Sequence, residues 1–161
     1  MPRDSNEVPR RAAAAGGHSE AGAAFTALVI EIFRLNGTMI AVGDEMTRDL
    51  GLTSARWQVL GAIGKEPKTV AAAARQMGLT RQNVQRIVDW LVESRIAEFV
   101  DNPKHRRAKL VALTKQGTAL REQLGRRQAR WANATGAHFK ASELAAAATL
   151  LQRLKKVLER G

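Results

Sequence analysis

The sequence predicts a mainly α-helical domain with one small β-hairpin, a winged helix-turn-helix set between long N- and C-terminal helices. Three observations predict it. Two short helical segments, 70–77 and 81–95, are joined by a few residues that include Gly78. The hydrophobic period then changes from helical to extended over 96–100 and 109–113, on either side of the turn residues 101–104. Segments with apolar residues at spacings of three, four and seven flank this unit on both sides.

The elements follow in order. Residues 1–18 are polar, charged and then Ala- and Gly-rich, and are expected to form a flexible arm; Arg3, Arg10 and Arg11 are its cations. Residues 19–161 are expected to form a single domain, with the winged unit at about 53–114 and long helices at about 19–50 and 115–160. In the first helix Phe25, Leu28, Val29, Ile32, Met39, Ile40 and Met46 form an apolar stripe, which Gly37 and Gly43 weaken. Thr53, Thr69, Thr80 and Thr114 each stand just before a helical run and are predicted N-caps; Ser142 is given the same role for the last helix. Residues 65–68 read as a loop. Leu144, Leu150, Leu151, Leu154 and Leu158 make the apolar face of the last helix.

Composition limits the partners. The chain has 26 Lys and Arg against 15 Asp and Glu, a formal +11, which favours polyanions. It has no cysteine, which excludes disulfides, thiolate metal sites and cysteine redox chemistry. His18, His105 and His138 are scattered, so no metal is expected, nor any other cofactor. No unbroken apolar run reaches the length of a membrane span, and no signal-peptide core stands near residue 1; a cytoplasmic protein with no membrane partner is expected. Nucleophile elbow, glycine-rich phosphate loop and paired acid–base motif are all missing, which argues against an enzyme.

The segment from Arg81 carries the functional signal. Val84, Ile87, Val88 and Leu91 share one helical face, and Gln82, Gln85, Arg86 and Asp89 share the opposite one. If the apolar face docks on the domain, the polar face points outward. An α-helix fits the major groove of B-DNA, where Arg pairs with guanine and Gln with adenine. Gln82, Gln85 and Arg86 are therefore candidate base readers, and Arg81 and Asn83 candidate base or phosphate contacts. Lys104, Arg106, Arg107 and Lys109 cluster at the hairpin tip, where cations suit phosphate or the minor groove. Residues 75–130 hold 13 Lys or Arg against 5 Asp or Glu, so +8 of the formal +11 falls in the segment that contains these two elements. The alternative is a winged-helix module that binds RNA or a protein partner.

The motifs LTSARWQVLGAI at 52–63, LTRQNVQRIVDWLVESRIAEFVDNP at 79–103 and HRRAKLVALTKQG at 105–117, with the Ser-Glu-Leu opening at 142–144, resemble the MarR family of winged-helix regulators. The resemblance spans nearly everything from Ser19 onward. It implies a homodimer joined through the terminal helices and a pseudo-palindromic double-stranded operator with one recognition helix per half-site. It also implies a repressor released by a small amphipathic or aromatic effector, lodged near Phe25, Val29, Ile32, Phe33, Trp57 and Trp131. One departure stands out: the family's acidic wing residue, two positions before the minor-groove Arg, is His105 here, with Arg107 as the matching Arg. Either Asp101 takes over, or the wing is more mobile and more cationic.

Overall fold

The computed structural model describes residues 17–64, 66–105 and 107–160. In chain order these form α1 (Glu20–Thr47), a 3-10 turn (Arg48–Leu50), α2 (Ser54–Ile63), α3 (Val70–Met77), α4 (Arg81–Glu93), β1 (Ala97–Val100), β2 (Leu110–Leu113), α5 (Lys115–Gly136) and α6 (Ala141–Leu158). The mainly helical fold with a hairpin wing is the one the sequence predicts. Arg3, Arg10 and Arg11 of the arm lie outside the described residues, as does Arg106 of the hairpin tip. The chain divides between Val42 and Gly43 into two units.

In the first unit the Ser19 hydroxyl accepts the Gly22 N–H at 3.1 Å, and the helix runs on unbroken through Gly37. Its large apolar residues are largely exposed, Phe33 at 72%. Glu31 and Arg34 pair across one helical turn at 2.7 Å. One sequence expectation is corrected here. Glu20–Leu50 is long and apolar enough to cross a membrane by length and composition alone. Ala and the large apolar residues keep the average high although Gly, Thr and a few charged residues interrupt the run, so the run-based reading passed over it.

The second unit is built around one core. Val59, Leu60 and Ile63 of α2, Ala73 and Ala74 of α3, Val84, Val88 and Leu91 of α4, Val111 of β2 and Leu124 of α5 are buried together. Fully burying such a side chain contributes about 1.5–3 kcal/mol, so this cluster fixes how α4 and the hairpin are carried. The hairpin pairs antiparallel, Ala97 opposite Leu113 and Val100 opposite Leu110. Residue 68, read from sequence as loop, adds an isolated bridge: Lys68 and Val111 exchange both backbone hydrogen bonds, at 3.2 and 2.8 Å.

The four threonine caps form as predicted. Thr53, Thr69, Thr80 and Thr114 accept the N–H groups of Arg56, Ala72, Asn83 and Gly117 at 3.1–3.3 Å. The Ser142 cap does not form. The N-cap of α6 is Lys140, and the Glu143 carboxylate accepts the Lys140 N–H at 2.9 Å, leaving Ser142 inside the first turn. Gly117 is required by contact: a Cβ there would lie 2.0 Å from the Ile96 carbonyl oxygen. Thr114 Oγ1 donates to the Arg95 carbonyl at 2.7 Å, so threonine and glycine together seat the start of α5 against the start of β1.

Candidate nucleic-acid interface

The turn between α3 and α4 is made by Gly78, whose φ of 65° suits glycine; its N–H bonds back to Arg75 O, and Leu79 N–H to Ala74 O. Thr80 then caps α4. This local chemistry sets the direction of α4, and core packing sets its rotation. Val84, Val88 and Leu91 are fully buried, so the opposite side faces solvent. Arg81, Gln82, Asn83 and Arg86 are exposed there, and Gln85 is half-buried. Gln85 Nε2 donates to Asp89 Oδ1 at 2.7 Å. The five residues singled out from sequence therefore lie on one helix, and none of them belongs to the buried core.

A groove of about 540 Å³ runs beside this face, lined by Leu79, Asn83, Arg86, Ile87 and Trp90 of the helix-turn-helix and by Ala55 and Arg56 of α2. The Arg56 guanidinium stacks 3.6 Å from the centre of the Trp90 ring. Sequence reasoning missed Arg56; a cation three residues after a helix cap gave no signal of its own.

In the hairpin turn Lys104, His105, Arg107 and Lys109 are exposed. What shapes the turn is Asn102, which neither of the two sequence alternatives named. Its Nδ2 donates to Ala108 O at 2.8 Å, its Oδ1 accepts Lys104 N–H at 3.0 Å, and its carbonyl accepts His105 N–H at 3.1 Å. A neutral amide spans the loop, so the turn's shape is carried by these bonds and not by an acidic residue two positions before Arg107. Asn is a standard turn former, and that was the available signal.

The residues assigned to an effector pocket fall out differently. On α1, Phe25 and Phe33 are exposed and Val29 and Ile32 half-buried. Trp57 of α2 lines a hollow of about 440 Å³ with Gly61 and with Arg121, Glu122, Gly125 and Gln128 of α5. Trp131, half-buried on α5, is not among those residues. Arg121 went unnoticed in the sequence because α5 is rich in cations; the small residues Gly61 and Gly125, which open the space, were the readable sign.

On the same helix α5, Arg127 clamps the chain before α2. Its Nη1 donates to Met46 O at 2.9 Å and to Asp49 Oδ1 at 2.5 Å, and its Nη2 to Asp49 Oδ2 at 2.7 Å. The hydrogen bonds from Arg127 hold the Asp49 carboxyl below its ordinary pKa.

Comparison with known proteins agrees with this geometry. Residues 50–108, from the end of the 3-10 turn to the hairpin tip, match the profile of the MarR family. Over this stretch the chain is similar to the MarR family. An uncharacterized protein of Mycobacterium tuberculosis is 41% identical over 90 residues, 56% of this chain and 63% of that protein, so the match spans under two thirds of the relative's length. Among solved structures, a mutant MarR from E. coli complexed with operator DNA superposes with a TM-score of 0.72 at 23% identity, covering 84% of this chain and 99% of that one. CouR from Rhodococcus jostii RHA1, bound to p-coumaroyl-CoA, gives a TM-score of 0.72 at 21% identity, covering 79% and 90%. At those identities the two structures show the fold. They share with this chain the winged helix-turn-helix fold with its terminal helices.

Proposed function

We propose that this chain is a sequence-specific regulator of transcription that binds double-stranded DNA as a homodimer in the cytoplasm. The observation that carries the reading is the outward stripe of α4, Gln82, Gln85 and Arg86, fixed by a fully buried opposite face and accompanied by a basic hairpin tip. Arg and Gln at that spacing suit guanine and adenine edges in the major groove, with Arg81 and Asn83 nearer the backbone. Lys104, Arg107 and Lys109 suit phosphate or the minor groove beside it. A MarR mutant of the same fold has been seen with operator DNA, which supports this orientation.

Two copies related by a two-fold axis would set two α4 helices on half-sites of a pseudo-palindrome about one helical turn apart. The exposed apolar residues of α6, Leu144, Leu150 and Leu151, supply a face for the second copy. Repression relieved by a small effector is the accompanying reading. The hollow at Trp57 pairs an indole with the Arg121 cation, which suits an aromatic acid, and CouR of the same fold carries p-coumaroyl-CoA.

The test is a gel shift of duplexes selected by the protein from a randomised double-stranded library, run against excess scrambled duplex. Retention of the selected duplex, weakening steeply as salt rises, is expected. Equal competition by scrambled duplex, or preferential retention of RNA, would favour the module that binds RNA or a protein partner.

A further inference from the structure

Asp89 lies one turn beyond Gln85 on the outward side of α4 and accepts a hydrogen bond from its Nε2 at 2.7 Å. A carboxylate only accepts, so this contact decides which way the Gln85 amide points. The reversed amide would set Oε1 against a carboxylate oxygen, which is repulsive. An NH2 group has two protons, one anti and one syn to Oε1. With the anti proton on Asp89, the syn proton is left beside Oε1 as a donor next to an acceptor. That is the pair adenine needs in the major groove, where N7 accepts and the N6 amino group donates.

Resting on the DNA-binding reading above, we infer that Asp89 is a positioning residue that fixes Gln85 as a reader of adenine, at one A·T pair in each half-site. Its charge has a second consequence. Among the cations Arg81 and Arg86, a carboxylate on the groove-facing side repels phosphate on any duplex, and only a duplex that satisfies Gln85 offsets this. Asp89 therefore lowers affinity for wrong sequences while it orients the contact to the right one.

The experiment titrates the full chain, wild type and with Asp89→Ala or Asp89→Glu, against the selected duplex and its single-base-pair variants. Wild type is expected to prefer adenine at one position per half-site by roughly 5- to 150-fold. Asp89→Ala is expected to reduce this to about 2-fold, to leave the other positions unchanged, and to bind scrambled duplex more tightly. Asp89→Glu keeps an accepting carboxylate within reach of residue 85 and is expected to retain the preference. Three results would overturn the inference: an unchanged preference in Asp89→Ala, an equal loss in Asp89→Glu, or loss of a cytosine preference, which would make Asp89 the base contact itself. A wild-type selection that yields no consensus overturns the DNA-binding reading first and this inference with it; the other results bear on Asp89 alone.

Discussion

Helices α4 and α6 are both amphipathic, yet their apolar faces meet different fates. In α4, Val84, Val88 and Leu91 are fully buried and the polar side is left to solvent. In α6 no residue is buried, and Leu144, Leu150 and Leu151 stay 44–45% exposed. One chain thus completes the core that carries α4 but not the surroundings of α6. The winged unit has the makings of a self-sufficient support for a reading helix. The last helix carries apolar surface that gains stability only when a partner covers it, and the proposed second copy is that partner.

The sharpest way to break this comparison is to charge the α6 face. Leu151→Glu is expected to yield a monomer by sedimentation and to weaken binding to a two-half-site duplex by at least about 100-fold, because the two sites no longer act together. Full retention of affinity would mean that α6 plays no part in assembly. Leu91→Ala attacks the other face. It is expected to lower unfolding free energy by about 2–5 kcal/mol in denaturant melts, whereas Leu151→Ala, already half-exposed, should cost the isolated fold far less. Equal costs would erase the contrast between the two helices.

Arg86→Ala leaves the fold alone and tests the polar side of α4. A loss of about 1–3 kcal/mol on the selected duplex is expected, with relaxed base preference at one position per half-site. Arg107→Ala should weaken binding evenly across sequences and reduce the slope of log affinity against log salt by about 1 per site. A change in base preference there, or no change in affinity, would remove the hairpin tip from the interface as drawn.

The smallest effect concerns the Arg127 clamp. The hydrogen bonds from Arg127 depress the folded pKa of Asp49, so the contribution of the pair is present above the ordinary value of 3.8 and is lost as pH falls through the lower folded value. Thermal melts of wild type and Arg127→Ala should therefore differ at neutral pH and converge in acid. A difference that persists below the folded pKa would assign the clamp's effect to packing or to the Met46 carbonyl.

Sequence legibility followed the range of the interactions. Thr53, Thr69, Thr80 and Thr114 were readable because a cap bonds three residues ahead, and the α4 face was readable because helical period alone fixes which residues share a side. Ser142 was misread because the Glu143 carboxylate competes for the same helix start and takes the Lys140 N–H. The Lys68 bridge to Val111 joins residues distant in sequence, which no local pattern encodes. At the hairpin, attention to charge at His105 and Asp101 obscured the neutral Asn102, whose side chain spans the turn. In the Trp57 hollow, packing against α5 brings in Arg121 in place of Trp131, although Gly61 and Gly125 marked the space in the sequence.

The most direct measurement is dimethyl sulfate protection of guanine N7 on the selected duplex, because N7 lies in the major groove. The account predicts two protected patches centred about one helical turn apart, with protection lost at one guanine in each patch when Arg86 is replaced by Ala. A tight complex in which every guanine N7 remains fully reactive would contradict it.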